Sequence, residues 1–182
     1  GKNKDATART FRTMVRNIVQ AAKSHQLEHI AFHLEPNGCP KLETLGEPWY
    51  FRTLAENLML ASYEFTRYKS ERKDTKELKE ILICGITTKT QKEAVATGLT
   101  VAEGANTTRD IANTPGVDMT PSLLAKAAQT AMKGTKATVK VLSSAEIKKQ
   151  KMGLLEAVGK GASDKPKLIV IEYWGVGKPK KG

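Results

Sequence analysis

Aromatic residues, cysteines and long apolar runs are all scarce in this chain of 182 residues. Aromatic side chains make up 5% of the sequence, which leaves few rings on which nucleic-acid bases could stack. The two cysteines, Cys39 and Cys84, lack the spacing of metal ligands, so we interpret them as free thiols. Free thiols are typical of a reducing compartment, and we expect a cytoplasmic protein. No apolar run approaches the roughly 20 residues of a membrane span, so we expect no membrane partner.

The chain also opens without Met and without the pattern of a signal peptide. Its first residues, 1–5, are mostly polar. We therefore expect either an internal fragment or a chain whose first ordered residue lies past the true start.

Acidic residues are fewer than basic ones. The 30 Lys and Arg and the 19 Asp and Glu give a net charge of +11. Such a charge suggests a polyanionic partner. The lysines are scattered, however, and their densest groups at 69–79, 148–151 and 178–181 lie in or beside predicted loops, without interleaved aromatics. We favour a solvated basic surface with at most weak, non-specific binding of nucleic acid. A non-catalytic, basic nucleic-acid-binding module remains the alternative function.

Histidine and cysteine, two common metal ligands, are few in this sequence, with three and two residues. Of the three histidines, His29 and His33 share one face of a predicted strand, but four residues of strand span about 13 Å, too far for one ion. We interpret them as structural or surface residues, like His25. Arg109 and Asp110 have no second carboxylate at ligand spacing nearby, so a structural cap or an inter-domain salt bridge is the favoured interpretation.

The segment 159–163, Gly-Lys-Gly-Ala-Ser, superficially resembles a phosphate-binding loop. A Walker loop needs four residues between its first Gly and a Gly-Lys-Ser/Thr triplet, after a strand and before a helix. Here the spacing is different and the segment precedes a strand. We therefore expect no phosphate site.

Hydrophobic periodicity and turn residues divide the first half of the chain into alternating helices and strands. The strand at 80–84 is almost wholly apolar, as in strands buried on both faces. This order predicts an α/β layer fold with crossover connections. The predicted elements are a helix at 7–24 with Phe11, Val15, Ile18, Val19 and Ala22 on one face, a strand at 29–34, a loop at 36–40, a helix at about 49–68 with Phe51, Leu54, Leu58 and Ala61 together, a charged loop at 69–76 and a strand at 80–84.

A long helix at about 90–112 comes next, opened by a capping box of Thr90 and Glu93. Gly98 and Gly104 lie inside it and predict close packing against a neighbour. We interpret this helix as the connector between two domains, ended by the turn at 113–116.

A second α/β region follows, and we interpret its order as the βαβ opening of another sheet. Thr120 is predicted to cap a helix that has Pro121 in its first turn. The remaining predictions are a buried helical face of Leu123, Leu124, Ala127, Ala128 and Ala131, a strand at 137–142 with Val139 and Val141 alternating, a capping box of Ser143 and Glu146 that opens a helix to about 151, and a strand at 168–173.

Three segments in this order, 106–121, 152–161 and 168–173, resemble the leucyl aminopeptidase (cytosol aminopeptidase) family of di-metal exopeptidases. The match is best from about 94 to 173 and fainter back to 53–58. The resemblance implies a small amino-terminal α/β domain joined by a long helix to a catalytic α/β domain. We expect residues 1–89 to be part of the first domain, 90–113 the connecting helix, and 114–182 the start of the catalytic domain.

The resemblance also implies a chemistry. Members carry two divalent ions, usually Zn, Mn or Mg, which polarise the scissile carbonyl and activate a bridging water. They remove amino-terminal residues, often leucine, from peptides and assemble as homo-hexamers.

The family supplies its metal ligands and catalytic lysine from two motifs that these 182 residues lack. One is Gly-Lys-Gly followed shortly by Asp and a Gly pair, whereas Asp164 here is followed by Lys165 and Pro166. The other is Asn-Thr-Asp-Ala-Glu-Gly-Arg. We therefore assign no catalytic, cofactor-binding or metal-ligating residue, and expect an inactive fragment that binds no metal. We expect it to stop before the metal motifs and to need the missing carboxy-terminal part of the catalytic domain as its partner.

Overall fold

The computed structural model describes residues 6–33, 40–70 and 77–175. The chain forms two compact units, Gly1–Asp110 and Ile111–Gly182, and each contains a two-stranded sheet within the described residues. The mixed α/β class is confirmed. The elements are α1 (Ala8–Ser24), β1 (His29–Phe32), α2 (Pro40–Glu43), α3 (Glu47–Ser62), β2 (Glu80–Ile83), α4 (Lys89–Asn113), α5 (Pro121–Met132), β3 (Ala137–Leu142), α6 (Ser144–Lys149), α7 (Gly153–Gly159) and β4 (Leu168–Tyr173).

Helix α1 begins at a capping box in which Thr7 and Thr10 satisfy each other's backbone N–H groups. Its predicted apolar face is confirmed, except that Ile18 lies on the flank of the stripe and is 38% exposed. The face packs against α3 and forms the core of the first unit. The core is built from Phe11, Val15, Val19, Phe32, Leu42, Tyr50, Phe51, Leu54, Leu58 and Ala94.

Helix α3 ends at Ser62, six residues before the predicted end at 68. Tyr63 takes an extended conformation. Lys23 and Arg109, which lie outside α3, donate hydrogen bonds to carbonyl oxygens of its last turn. These bonds satisfy acceptors that have no partner within the helix, which favours an end at Ser62. The short helix α2 was not predicted and starts at Pro40, the last residue of the predicted loop. Residues 36–39 of that loop, and the end of the predicted strand at Leu34, lie outside the described residues.

Strands β1 and β2 pair in parallel, with Ile30 opposite Ile81 and Phe32 opposite Ile83. The prediction that β2 is buried on both faces is wrong. Ile81 and Ile83 pack against the core, whereas Leu82 on the other face is 57% exposed. The apolar run was misleading because core side chains cover only one face of this two-stranded sheet in the described part of the chain.

Helix α4 spans Lys89–Asn113, close to its predicted bounds. Its capping box uses Thr88 and Gln91, two residues before the predicted pair: the Gln91 amide oxygen accepts from the Thr88 N–H at 2.9 Å, and the Thr88 hydroxyl accepts from the Gln91 N–H at 3.2 Å. The close packing predicted at Gly98 is confirmed, since a Cβ there would collide with the Arg52 carbonyl oxygen of α3. The same prediction for Gly104 is wrong, because no described atom lies within 4 Å of that position.

In the second unit, the bounds of β3 and β4 agree with prediction. The capping of α5 by Thr120 and the capping box of α6 are likewise confirmed. The buried face predicted for α5 is wrong, since Ala125 is its buried residue and Leu123 and Leu124 are 45% and 37% exposed.

The pairing of β3 with β4 differs from the parallel arrangement that a βαβ unit normally has. The strands are antiparallel, with Leu142 opposite Leu168 and Ala137 opposite Tyr173. In a βαβ unit, the crossover helix returns the chain to the end of the sheet where the first strand began, so the second strand runs parallel to the first. Here α6 and α7 pack on one another around Lys151, whose φ is +57°, and bring the chain back to the end where β3 finished.

The apolar strands β2 and β4 belong to different sheets. The compact units divide inside α4, between Asp110 and Ile111. The three-part division into 1–89, 90–113 and 114–182 stays a prediction.

Among the described helices, none combines the length and apolar character needed to cross a membrane.

Candidate functional site

Asp164, the carboxylate that follows the Gly-Lys-Gly segment, binds the first turn of α5. Its two oxygens accept hydrogen bonds from the Ser122 backbone N–H and hydroxyl, both at 2.7 Å. These two bonds, followed by one from Thr120, lower the pKa of Asp164 from 3.8 to about 2. The carboxylate is thus a second cap for the helix that Thr120 already caps, and it ties the loop before β4 to α5.

Gly159, the first residue of the Gly-Lys-Gly-Ala-Ser segment, ends helix α7 against Pro166. A Cβ at Gly159 would lie 2.6 Å from the Pro166 ring, closer than any real side chain allows. This glycine is needed for close packing of two chain segments. The segment therefore forms a tight helix–loop junction in this structure.

Arg109 and Asp110 form a cluster with Tyr63, which the sequence analysis did not single out. The Arg109 guanidinium carbon lies 3.9 Å from the centroid of the Tyr63 ring, and the Tyr63 hydroxyl donates to Asp110 at 2.7 Å. Arg109 also donates to the Leu60 carbonyl oxygen at 3.0 Å. The cluster fastens α4 to the end of α3 inside the first unit, which supports the structural interpretation of both charged residues.

The remaining residues with potential metal or nucleophile chemistry are dispersed. His29 Nδ1 lies 3.2 Å from Glu80 Oε2 on the exposed face of the first sheet. His25 ends α1, and Cys84 is a half-buried free thiol just after β2. Cys39 lies outside the described residues. Among the described residues, His25, His29, Glu80 and Cys84 belong to no group of three or more His, Cys, Asp or Glu side chains that could hold a metal ion.

Two further carboxylates near helix starts accept hydrogen bonds, one from its own capping residue and one from another helix. Hydrogen bonds from the Ser143 N–H and hydroxyl lower the pKa of Glu146. Glu47, at the start of α3, accepts from the Gln91 side chain at 2.7 Å. Glu146 thus completes the capping box of α6, and Glu47 links the start of α3 to Gln91 of α4.

The described residues do not fit the two-metal centre that the resemblance implies. Such a centre needs several Asp, Glu or Lys ligands converging in one pocket. Within 6–33, 40–70 and 77–175, no group of three or more His, Cys, Asp or Glu side chains could hold an ion. The Asp164 carboxylate already accepts hydrogen bonds from Ser122 and Thr120. We therefore derive no catalytic step through a metal.

The two regions of the chain match two domain models of one family. Residues 1–72 match the N-terminal domain of the cytosol aminopeptidase family, and residues 106–182 match its catalytic domain. Together the matches cover most of the chain, in the order in which the sequence analysis placed them. The chain belongs to the cytosol aminopeptidase family.

A probable cytosol aminopeptidase of Bdellovibrio bacteriovorus is 31% identical over 183 residues, which cover 100% of this chain and 36% of that relative. Among solved structures, the bottromycin maturation enzyme BotP in complex with Mn is 25% identical with a TM-score of 0.75, over 93% of this chain and 34% of BotP. A mutant of tomato leucine aminopeptidase superposes with a TM-score of 0.81 at 23% identity, over 97% of this chain and 35% of that protein, and shows the same fold. The chain thus spans about a third of the length of the relatives it matches.

Proposed function

We propose that this chain is part of the amino-terminal domain and the opening of the catalytic domain of a metal-dependent aminopeptidase that removes amino-terminal residues from peptides. The observation that carries the proposal is the ordered match to both domain models of the cytosol aminopeptidase family. The similarity to the Bdellovibrio bacteriovorus relative, which extends along this whole chain and 36% of the relative, supports it.

The proposed metal and substrate are those that the resemblance to the family implies. One structural neighbour is described in complex with Mn, which supports a divalent ion, with Zn and Mg as the other candidates. Leucine-type amino termini are the proposed substrates, and a cytoplasmic homo-hexamer is the proposed assembly of the whole enzyme.

The 182 residues alone are proposed to be inactive. Neither metal motif of the family occurs in the sequence. The carboxylate nearest to a motif, Asp164, has a structural role at the start of α5. The proposed contribution of this chain is a scaffold on which the metal-binding part of the catalytic domain is built.

Sequencing the gene beyond the codon for Gly182 tests the aminopeptidase proposal. We expect a Gly-Lys-Gly motif with its Asp and Gly pair, followed by Asn-Thr-Asp-Ala-Glu-Gly-Arg. Absence of both motifs from the gene would overturn the proposal.

Nucleic-acid binding is the second candidate, and the excess of positive charge in the second unit supports it. Residues 111–182 hold 13 lysines against 5 acidic residues, so +8 of the net charge of +11 lies in the second unit. Charge of this density attracts phosphates without reading sequence. The described part of the chain offers no recognition helix or aromatic platform for specific reading, so we rank this function below the first.

A further inference from the structure

Helix α7 presents two large aliphatic side chains almost entirely to solvent. Leu154 is 88% exposed and Val158 is 87% exposed. They are four residues apart and therefore lie on the same face of the helix. None of the seven residues of α7 is buried. We call Leu154 and Val158 the α7 patch.

A seven-residue helix is not stable in isolation, because nucleation is costly and isolated helices shorter than about 12–15 residues are marginal in water. In proteins, such a helix is stabilised by packing of its apolar side. Contacts with α6 supply part of that packing, but they leave the α7 patch uncovered. The apolar stripe of a helix normally faces a packing neighbour, and no described residue covers this pair.

The orientation of α7 is fixed by contacts that do not involve the patch. Gly159 packs against the Pro166 ring at the end of the helix, and Asp164 in the same loop is held by Ser122. The helix is thus anchored at its carboxyl end to a loop that is itself anchored to α5. The patch is a preformed surface, which lowers the entropy lost when a partner binds.

The relatives indicate which partner covers the surface. Helix α7 lies in the region that matches the catalytic domain of the family. The Bdellovibrio bacteriovorus relative has 64% of its length outside the match to this chain. The neighbours of a helix within one domain core come mostly from that domain.

We infer that the α7 patch is a docking surface for the remaining polypeptide of the cytosol aminopeptidase catalytic domain, which buries Leu154 and Val158 in its core. This inference rests on the proposed function, because it takes its partner from the same family. It goes further by naming the two side chains through which this chain and the metal-binding part of the enzyme are joined.

The test is a binding measurement between this 182-residue chain and the part of the Bdellovibrio bacteriovorus relative that lies outside the aligned stretch. The test variant is Leu154→Gln with Val158→Gln, which keeps the charge and a good helix propensity. The control is Val117→Gln, since Val117 is 84% exposed in the same unit but lies outside α7. Circular dichroism should show all three chains folded, because the substituted side chains bury little surface.

We expect the unchanged chain and the Val117→Gln control to bind the relative's segment equally, and the double variant to bind at least tenfold more weakly. Absence of binding by the unchanged chain, or equal binding by the double variant, would overturn the inference. A dimer of the unchanged chain that the double variant loses, seen by light scattering, would assign the patch to a second copy and also overturn it.

Hydrolysis of leucine-p-nitroanilide by the reconstituted pair with added Mn²⁺ separates this inference from the proposed function. Patch-dependent binding with no hydrolysis would support the docking surface and contradict the aminopeptidase proposal. Hydrolysis lost in parallel with binding in the double variant would support both.

Discussion

The Nζ of Lys23 donates to the Ser62 carbonyl oxygen at 2.9 Å, so a side chain from α1 satisfies the end of α3. The same ammonium group also donates to the Ala61 carbonyl oxygen at 3.1 Å and lies 3.0 Å from Glu64. Helix α3 has no basic residue in its own last turn. Lys23 therefore supplies the positive charge that the carboxyl end of the helix favours, and it links the two helices that build the core.

We expect Lys23→Met to lower the free energy of unfolding of the first unit by about 1–2 kcal/mol, because it removes charge-assisted hydrogen bonds from a side chain that is 17% exposed. The control is Lys89→Met, since Lys89 is 90% exposed and its pair with Glu93 spans 3.7 Å. That substitution should change stability by less than about 0.5 kcal/mol. Urea unfolding of both variants measures the difference, and equal effects would contradict the assigned role of Lys23.

Gly98 and Gly104 on α4 should respond in opposite directions to the same substitution. Gly98→Ala places a Cβ against the Arg52 carbonyl of α3. We expect the free energy of unfolding to fall by about 1–3 kcal/mol, because the two helices must move apart. Gly104→Ala meets no described atom within 4 Å and should stabilise the helix by up to about 1 kcal/mol. Thermal unfolding of the two variants measures these opposite changes in stability. A neutral Gly98→Ala variant would show that α3 and α4 are not in close contact there.

The Asp164 cap should make the stability of the second unit depend on pH. The pKa of Asp164 is lowered from 3.8 to about 2 in the folded chain by hydrogen bonds from Ser122. Its contribution is therefore fully present above about pH 4 and is lost as the pH falls toward 2. Carboxyl titration followed by NMR should give a pKa well below 3.8, and Ser122→Ala should raise it by removing one donor. A titration at or above 3.8 in the unchanged chain would contradict the hydrogen bonds described.

Nucleic-acid binding by this chain should be loose, independent of sequence and sensitive to salt. Each neutralised phosphate makes log K fall by about 0.9 per unit of log salt concentration for duplex DNA. We expect association at low salt that is lost near 150 mM, measured by fluorescence anisotropy with two unrelated duplexes. Sub-micromolar and sequence-selective binding at that ionic strength would favour the basic-module alternative over the aminopeptidase proposal.

Local signals in the sequence predicted two kinds of element: helices that begin at a strong capping residue, and strands in which apolar and polar residues alternate. Thr120 with Pro121, and Ser143 with Glu146, mark the starts of α5 and α6, because a capping side chain acts within three residues of itself. The alternation of Val139 and Val141 marked β3. These predictions depended only on residues close together in the chain.

Features that depend on residues distant in the chain were missed. Tyr63 and Asp110 are 47 positions apart, and Ser122 and Asp164 are 42 positions apart, so no local pattern connects them. The end of α3 depends on Lys23 for the same reason. The antiparallel pairing of β3 with β4 follows from the way α6 and α7 fold on one another, which periodicity does not report.

The candidate site was predictable only as a family resemblance. Residues 106–121 and 152–161 indicated the family through the order of motifs, and the domain matches confirm it. The roles of individual residues came from the structure, which places Asp164 at a helix cap and Arg109 against Tyr63.

Hydrolysis of leucine-p-nitroanilide by the purified 182-residue chain, with Mn²⁺, Zn²⁺ or Mg²⁺ added, tests the central claim most directly. The claim is that this chain is the scaffold portion of a cytosol aminopeptidase and that the metal ligands lie elsewhere in the enzyme. The full-length Bdellovibrio bacteriovorus relative serves as the positive control under the same conditions. We predict turnover by the relative and none above background by the chain with any of the three ions. Metal-dependent turnover by the chain alone, abolished by a chelator, would contradict the account.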